Sequence, residues 1–177
     1  MKRDVVEQAI EQWAGERPDL DASPLGVVSR ILVAAQKVER SADKALARFG
    51  LTLWQLDVLA ALRRSGAPYR LSPTQLLRLV FLSSGAMTNR LDRLEKMQLI
   101  ERTRDPHDRR GVLISLTPKG RKLVDEAIAA RFENAREIAS VFTKGDAKTL
   151  AKMLRTLVLS LTEENRNGDG VTPGKAL

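Results

Sequence analysis

The chain has 177 residues, 43% hydrophobic and 29% charged, the composition of an ordinary globular domain and not of a disordered segment. It has no cysteine and one histidine, which excludes disulfides, thiolate zinc sites, iron–sulfur clusters, cysteine nucleophiles and two-histidine metal sites; no metal or cofactor is expected. Thirty Lys and Arg against 22 Asp and Glu leave a formal charge of +8, which favours a polyanionic partner.

The start, MKRDVVEQAIEQW, interleaves charged and apolar residues and lacks the apolar run of a signal peptide. No stretch approaches the roughly 20 apolar residues of a membrane span. The expected compartment is the cytoplasm. Val6, Ile10 and Trp13 mark one face of a helix over about 4–15. After the turn-rich GERPDLDASP, apolar residues from Leu25 to Phe49 keep helical spacing, and Gly50 stands where a left-handed cap belongs. Thr52 and Gln55 form a capping-box pattern for a helix over about 53–64. Ser72, Pro73 and Gln75 open a short helix to about Val80. Ser83 and Ser84 can cap the next, which runs to about Met97 with Met87, Leu91 and Leu94 inward. Ile100–Arg104 and Val112–Leu116 then read as two strands around the turn DPHDRRG. Thr117-Pro118 opens a long helix to about Val141, and a last helix covers about 146–165. The order predicts a mostly helical protein with a winged helix–turn–helix at its centre.

The charge is not spread evenly. Eleven basic residues and five acids lie between Arg78 and Lys122, so most of the surplus falls on this segment. On the helix ending at Met97, Ser84, Gly85, Thr88, Asn89 and Asp92 lie on or near the outward face. Small and amide side chains there can approach base edges in a major groove. Ser84, Gly85, Thr88 and Asn89, with Ser83 and Arg93 and with Ser72 and Thr74 at the start of the preceding helix, belong to the expected DNA-contacting set. Arg109 and Arg110 on the wing tip suit a narrow minor groove; an Asp108–Arg pair could instead hold the turn, and one arginine is expected to do each job. His107, on the same exposed turn, reads as a solvated histidine. With no nucleophile elbow, Walker loop or dinucleotide fingerprint, no enzyme is expected.

The stretch SSGAMTNRLDRLEKMQLIERTRDPHDRRGVLISLTPKG resembles the recognition helix, wing and following helix of MarR-family transcriptional regulators. Its signature is DRR at Asp108–Arg110 followed by LTPKG at Leu116–Gly120. The resemblance covers about 25–165. It implies an obligate homodimer knit by the terminal helices, whose recognition helices enter successive major grooves of a pseudo-palindromic operator in double-stranded DNA. The implied organisation is one domain over 1–166, with the winged helix–turn–helix over about 52–118. A helical dimerisation region covers about 1–50 and 118–166, including an extra N-terminal helix, and a flexible tail follows over 167–177.

Four residues stand out against the apolar pattern. Asp57 lies on an apolar helix face with Leu53, Ala60 and Ala61, where a carboxylate is costly unless paired. Arg90 sits at the edge of the recognition helix's inner face, Arg102 on the first wing strand, and Trp13 on the apolar face of the first helix. Taken singly, a structural ion pair and simple packing explain them. Together they match, in type and in spacing from Asp57 onward, the ligand-site residues of the urate-responsive branch of the MarR family. RPDLD at Arg17–Asp21, LAALRRSGAPY at Leu59–Tyr69 and SSGAMTNR at Ser83–Arg90 are similar to that branch too. The resemblance implies a site for a small anionic planar ligand such as urate. In it Trp13 stacks on the ligand, the arginines neutralise it, and Asp57 either bonds a ring N–H or orients an arginine. A regulator released from its operator by such a ligand is the expected function. The alternatives are a MarR-type regulator answering to another aromatic or carboxylic acid or its CoA thioester, and an architectural DNA-binding protein without effector.

Overall fold

The computed structural model describes residues 3–80, 87–106, 108 and 111–168, the last six as backbone only. The expected caps Ser83 and Ser84, with Gly85, His107, Arg109, Arg110 and the tail from 169, lie outside the described residues. The chain divides into two compact units, Met1–Ala135 and Arg136–Leu177.

In the first unit, α1 (Val5–Glu16) starts at Asp4, whose carboxylate accepts from the Val6 and Glu7 amides at 3.0 and 2.8 Å. The same carboxylate meets Arg30 at 2.7 Å, which fixes the start of α1 on α2 (Leu25–Leu46). A 3₁₀ turn over Ala47–Phe49 ends on Gly50 at φ 67°, the left-handed cap that its sequence position calls for. Thr52 and Gln55 form their capping box at the head of α3 (Leu53–Arg64). Asp43 of α2 accepts from the Leu53 amide at 2.6 Å, so the turn between the helices is tied from both sides. Ser72 and Gln75 do the same for α4 (Pro73–Leu79). The described part of the next helix, α5 (Met87–Lys96), buries Met87, Leu91 and Leu94 as its spacing requires.

The wing strands β2 (Ile100–Arg104) and β3 (Val112–Leu116) fall on their expected residues, antiparallel with Arg102 opposite Ile114. A third strand was not legible from the sequence: β1 (Arg70–Leu71) pairs with β3 on its other side, giving the order β1-β3-β2. Two residues are too few for an alternating pattern, and only the partner strand defines them. Leucines 46, 56, 59, 62, 76, 94 and 99 with Ile100 and Ile114 make the core beneath α3–α5 and the sheet. The long helix α6 (Pro118–Ala139) adds Val124 and Ala127 to this core. Further along α6, Asn134 is only 6% exposed and donates to Ser41 of α2 at 2.9 Å.

The second unit contains α7 (Lys144–Gly168), capped by Thr143, whose Oγ accepts from the Asp146 amide at 3.2 Å. Leu150, Leu154, Val158 and Leu161 form a stripe along one face and are exposed in the single chain.

Candidate nucleic-acid interface and effector cleft

With Met87, Leu91 and Leu94 packed inward, α5 presents Thr88, Asn89 and Arg93 to solvent, as the spacing predicts. Exposed Thr74 and the half-buried Ser72 stand at the start of α4, so the helix–turn–helix carries polar groups at the heads of both helices. The wing turn is closed by the Asp105 amide donating to the Gly111 carbonyl at 2.9 Å and the Gly111 amide donating to that of Asp108 at 2.8 Å.

Arg90 is half-buried and turned to the interior side of α5, not along the exposed face. Its guanidinium carbon lies 5.2 Å from the centre of the Trp54 ring. A cation over an indole face is held by the ring quadrupole, and more firmly where water is excluded. Nη1 of Arg90 is fully enclosed and has no hydrogen-bond partner among the described residues. Beside it lies a cleft of about 410 Å³ lined by Trp54, Asn89, Arg90 and Arg93, a size that suits small-molecule sites. The recognition helix thus forms one wall of the cleft, with Asn89 and Arg93 shared between the cleft and the exposed face.

The four ligand residues expected from the sequence are not gathered in this cleft. Asp57 lies one helical turn from Trp54 on α3 and is half-buried. Its charged neighbours are Arg131 of α6 and then Arg64 of α3. Arg102 is engaged elsewhere, bonded to Asp92 at 2.6 Å and to Glu95 at 2.8 Å, so that β2 is pinned to α5 by two carboxylates. Trp13 remains 51% exposed on α1, which packs against α2. Two residues beside Arg90 and Asp57, Trp54 and Arg131, lie outside the ligand set expected from the sequence. Trp54 is adjacent to Asp57 on α3, but no spacing rule links it to Arg90, 36 positions away. Arg131 could have been found as a cation interrupting the apolar face of α6.

Burial raises the Asp57 carboxyl above the ordinary aspartate value, against the pull of Arg131 and Arg64. The folded state therefore disfavours the charged form relative to the unfolded chain, a cost present at neutral pH. It disappears below the unfolded value near 4, where both states hold the proton. Asp57→Asn is expected to raise the melting temperature at pH 7 and to leave it unchanged near pH 3, as followed by circular dichroism. A loss of stability at pH 7 would mean that the attraction of Arg131 and Arg64 outweighs burial.

The comparisons agree with this architecture. A family model described as MarR family matches residues 49–111. The HTH-type transcriptional regulator PecS of Dickeya dadantii (strain 3937) is 36% identical over 149 residues, 84% of this chain and 90% of the relative. The chain belongs to the MarR family. It is a DNA-binding transcriptional regulator of that family and not an enzyme. Among solved structures, a mutant E. coli MarR complexed with operator DNA is 26% identical, with a TM-score of 0.69 over 88% of this chain and 99% of that one. Bordetella bronchiseptica BpsR, described by the regulation of its DNA binding by 6-hydroxynicotinic acid, is 25% identical. It also has a TM-score of 0.69, over 75% of this chain and 92% of that one. In MarR-family terms, α3 and α4 precede the recognition helix α5, and β2–β3 is the wing.

Proposed function

We propose that this MarR-family protein is a cytoplasmic homodimeric repressor released from a pseudo-palindromic operator by a small anionic planar ligand, urate being the leading candidate. The observation that carries the ligand reading is Arg90: an enclosed guanidinium N–H on the recognition helix, without a hydrogen-bond partner among the described residues and stacked on Trp54 beside a cleft. An anion entering there gains a charge-assisted hydrogen bond and acts directly on the element that reads DNA. Asp57 lies one turn along α3, able to accept from a ring N–H of the ligand or to orient an arginine. Arg102 completes the switch. A ligand that competes for it loosens the Asp92 and Glu95 pairs that pin α5 to the wing. Trp13 is the second aromatic face offered to the ligand. A planar heteroaromatic acid regulates DNA binding in BpsR, which supports this class of effector.

The DNA contacts are Thr88, Asn89 and Arg93 of α5 with Ser83, Ser84 and Gly85 before it, Ser72 and Thr74 of α4, and Arg109 and Arg110 of the wing. Homodimer formation is supported by apolar side chains left uncovered in the single chain. They include the α7 stripe and, within the first unit, Val27, Val28, Leu32 and Phe132. Two recognition helices then address half-sites about one helical turn, roughly 34 Å, apart. The reading is tested by whether urate releases the protein from its operator.

A further inference from the structure

Four side chains line the cleft beside Trp54, and three of them, Asn89, Arg90 and Arg93, belong to the recognition helix. At about 3.6 residues per turn, Arg93 falls between the other two around the helix, so all three share one side of α5. Their exposure differs. Arg90 is half-buried with its Nη1 enclosed, whereas Asn89 and Arg93 are exposed. The cleft therefore runs from Arg90 on the Trp54 ring out to the two residues that also stand on the face offered to DNA.

The charge of this wall is unbalanced. Its lining contains two guanidinium groups and no carboxylate. The two acids of α5, Asp92 and Glu95, are both bonded to Arg102 of β2, at 2.6 and 2.8 Å. Among the described residues neither Arg90 nor Arg93 has a carboxylate partner. A molecule in the cleft thus meets two cations, an indole ring and an amide that both donates and accepts. That set suits a planar anion: its acceptor atoms face the guanidinium forks, and a ring N–H or hydroxyl of its own faces Asn89.

We propose that Arg93 is an effector-binding residue as well as a DNA-contacting one, so that an anion in the Trp54 cleft weakens operator binding by occupying a side chain that holds the operator. The proposal rests on the effector reading above and deepens it with a route of release. A guanidinium whose N–H groups are turned to a ligand is withdrawn from a phosphate or a guanine edge. DNA and anion each lose a contact when the other is bound. The share of the coupling that passes through Arg93 needs no displacement of α5.

The test uses the full-length protein with urate and 6-hydroxynicotinate as probes, and two variants, Arg93→Gln and Arg93→Met. Calorimetric titration of the DNA-free protein gives the anion affinity. Fluorescence anisotropy gives the operator affinity without anion and at saturating anion, and their ratio is the coupling factor. Both variants are expected to lose about fivefold or more in affinity for the anion that wild type binds, the loss of one charge-assisted hydrogen bond at an exposed rim. Operator affinity without anion should fall about threefold or more, and the coupling factor should shrink by about threefold. Anion affinity within about twofold of wild type in either folded variant overturns the proposal, since Arg93 then serves DNA alone. Reduced anion affinity with unchanged operator affinity, or with an unchanged coupling factor, also overturns it, because the side chain is then not shared. Failure of both variants to fold makes the residue structural and has the same consequence. In all these cases the effector reading stands. If wild type binds neither anion, that reading itself fails and the proposal falls with it.

Discussion

Replacing both wing arginines, Arg109→Ala with Arg110→Ala, is expected to weaken operator binding on the order of 10²-fold at physiological salt, with unchanged thermal melting. In sequence the two residues fall between Asp108 and Gly111, which with Asp105 are joined by backbone hydrogen bonds between the ends of β2 and β3. Cations in the turn of a wing can meet phosphates or the floor of a narrow minor groove, where the negative potential is strongest. For each arginine removed, binding displaces about one fewer counterion from the DNA. The plot of log affinity against log salt should therefore flatten by about two units for the pair. Fluorescence anisotropy at several salt concentrations measures both effects. An unchanged slope would assign the pair to holding the turn.

Gly120→Ala is expected to destabilise the fold by about 3 kcal/mol, the upper end of the range for forcing an atom into a packed interior. Gly120 lies in the segment that clamps the start of α6 to the end of the helix–turn–helix. The Gly120 amide donates to Thr117 Oγ at 3.0 Å, and that hydroxyl donates to the Gln98 carbonyl at 2.8 Å. The Thr117 amide donates to the Leu99 carbonyl at 3.1 Å, and Lys119 Nζ reaches the Met97 carbonyl at 2.9 Å. A Cβ on residue 120 would overlap the Leu99 carbonyl, which is backbone and cannot swing aside as a side chain would. At about 2–4 °C per kcal/mol for a chain of this length, the melting temperature should drop by roughly 6–12 °C. Operator affinity should fall with it, because Leu99 joins α5 to the wing. A fall below 2 °C would mean that α6 does not approach the wing so closely.

Much of the fold follows from local rules. Apolar spacing and capping residues place the helices within a few residues, since each cap satisfies amides that the helix itself leaves open. The strands of the wing follow from the change of period after Met97. β1 escapes this logic because its two residues are a strand only by virtue of β3. The site divides similarly. The outward face of α5 is implied by its inward leucines, and Arg90's edge position already allows an inward turn. The partners are another matter. That Arg90 meets Trp54, that Arg102 is occupied by Asp92 and Glu95, and that Asp57 faces Arg131 depend on how separate elements pack. No periodicity within one element encodes this. Arg131 is the exception: a cation on the apolar stripe of α6 is visible in the sequence, and only its partner is not.

Ligand control of DNA binding is tested most directly by titrating urate into the complex of the protein with an operator duplex, selected from a randomised pool by the wild-type protein. Wild type is expected to dissociate as urate is added. Coupling of this kind changes affinity typically 5–150-fold, and by linkage DNA weakens urate binding by the same factor. Arg90→Ala should bind urate poorly and remain on DNA at the concentration that releases wild type. Trp13→Ala should need more urate, by the roughly 1–3 kcal/mol of a stacking contact, if it provides an aromatic face. Wild-type affinity for the operator unchanged by urate would contradict urate as the effector. Release of both variants at the wild-type concentration would place the effector site away from Arg90 and Trp13.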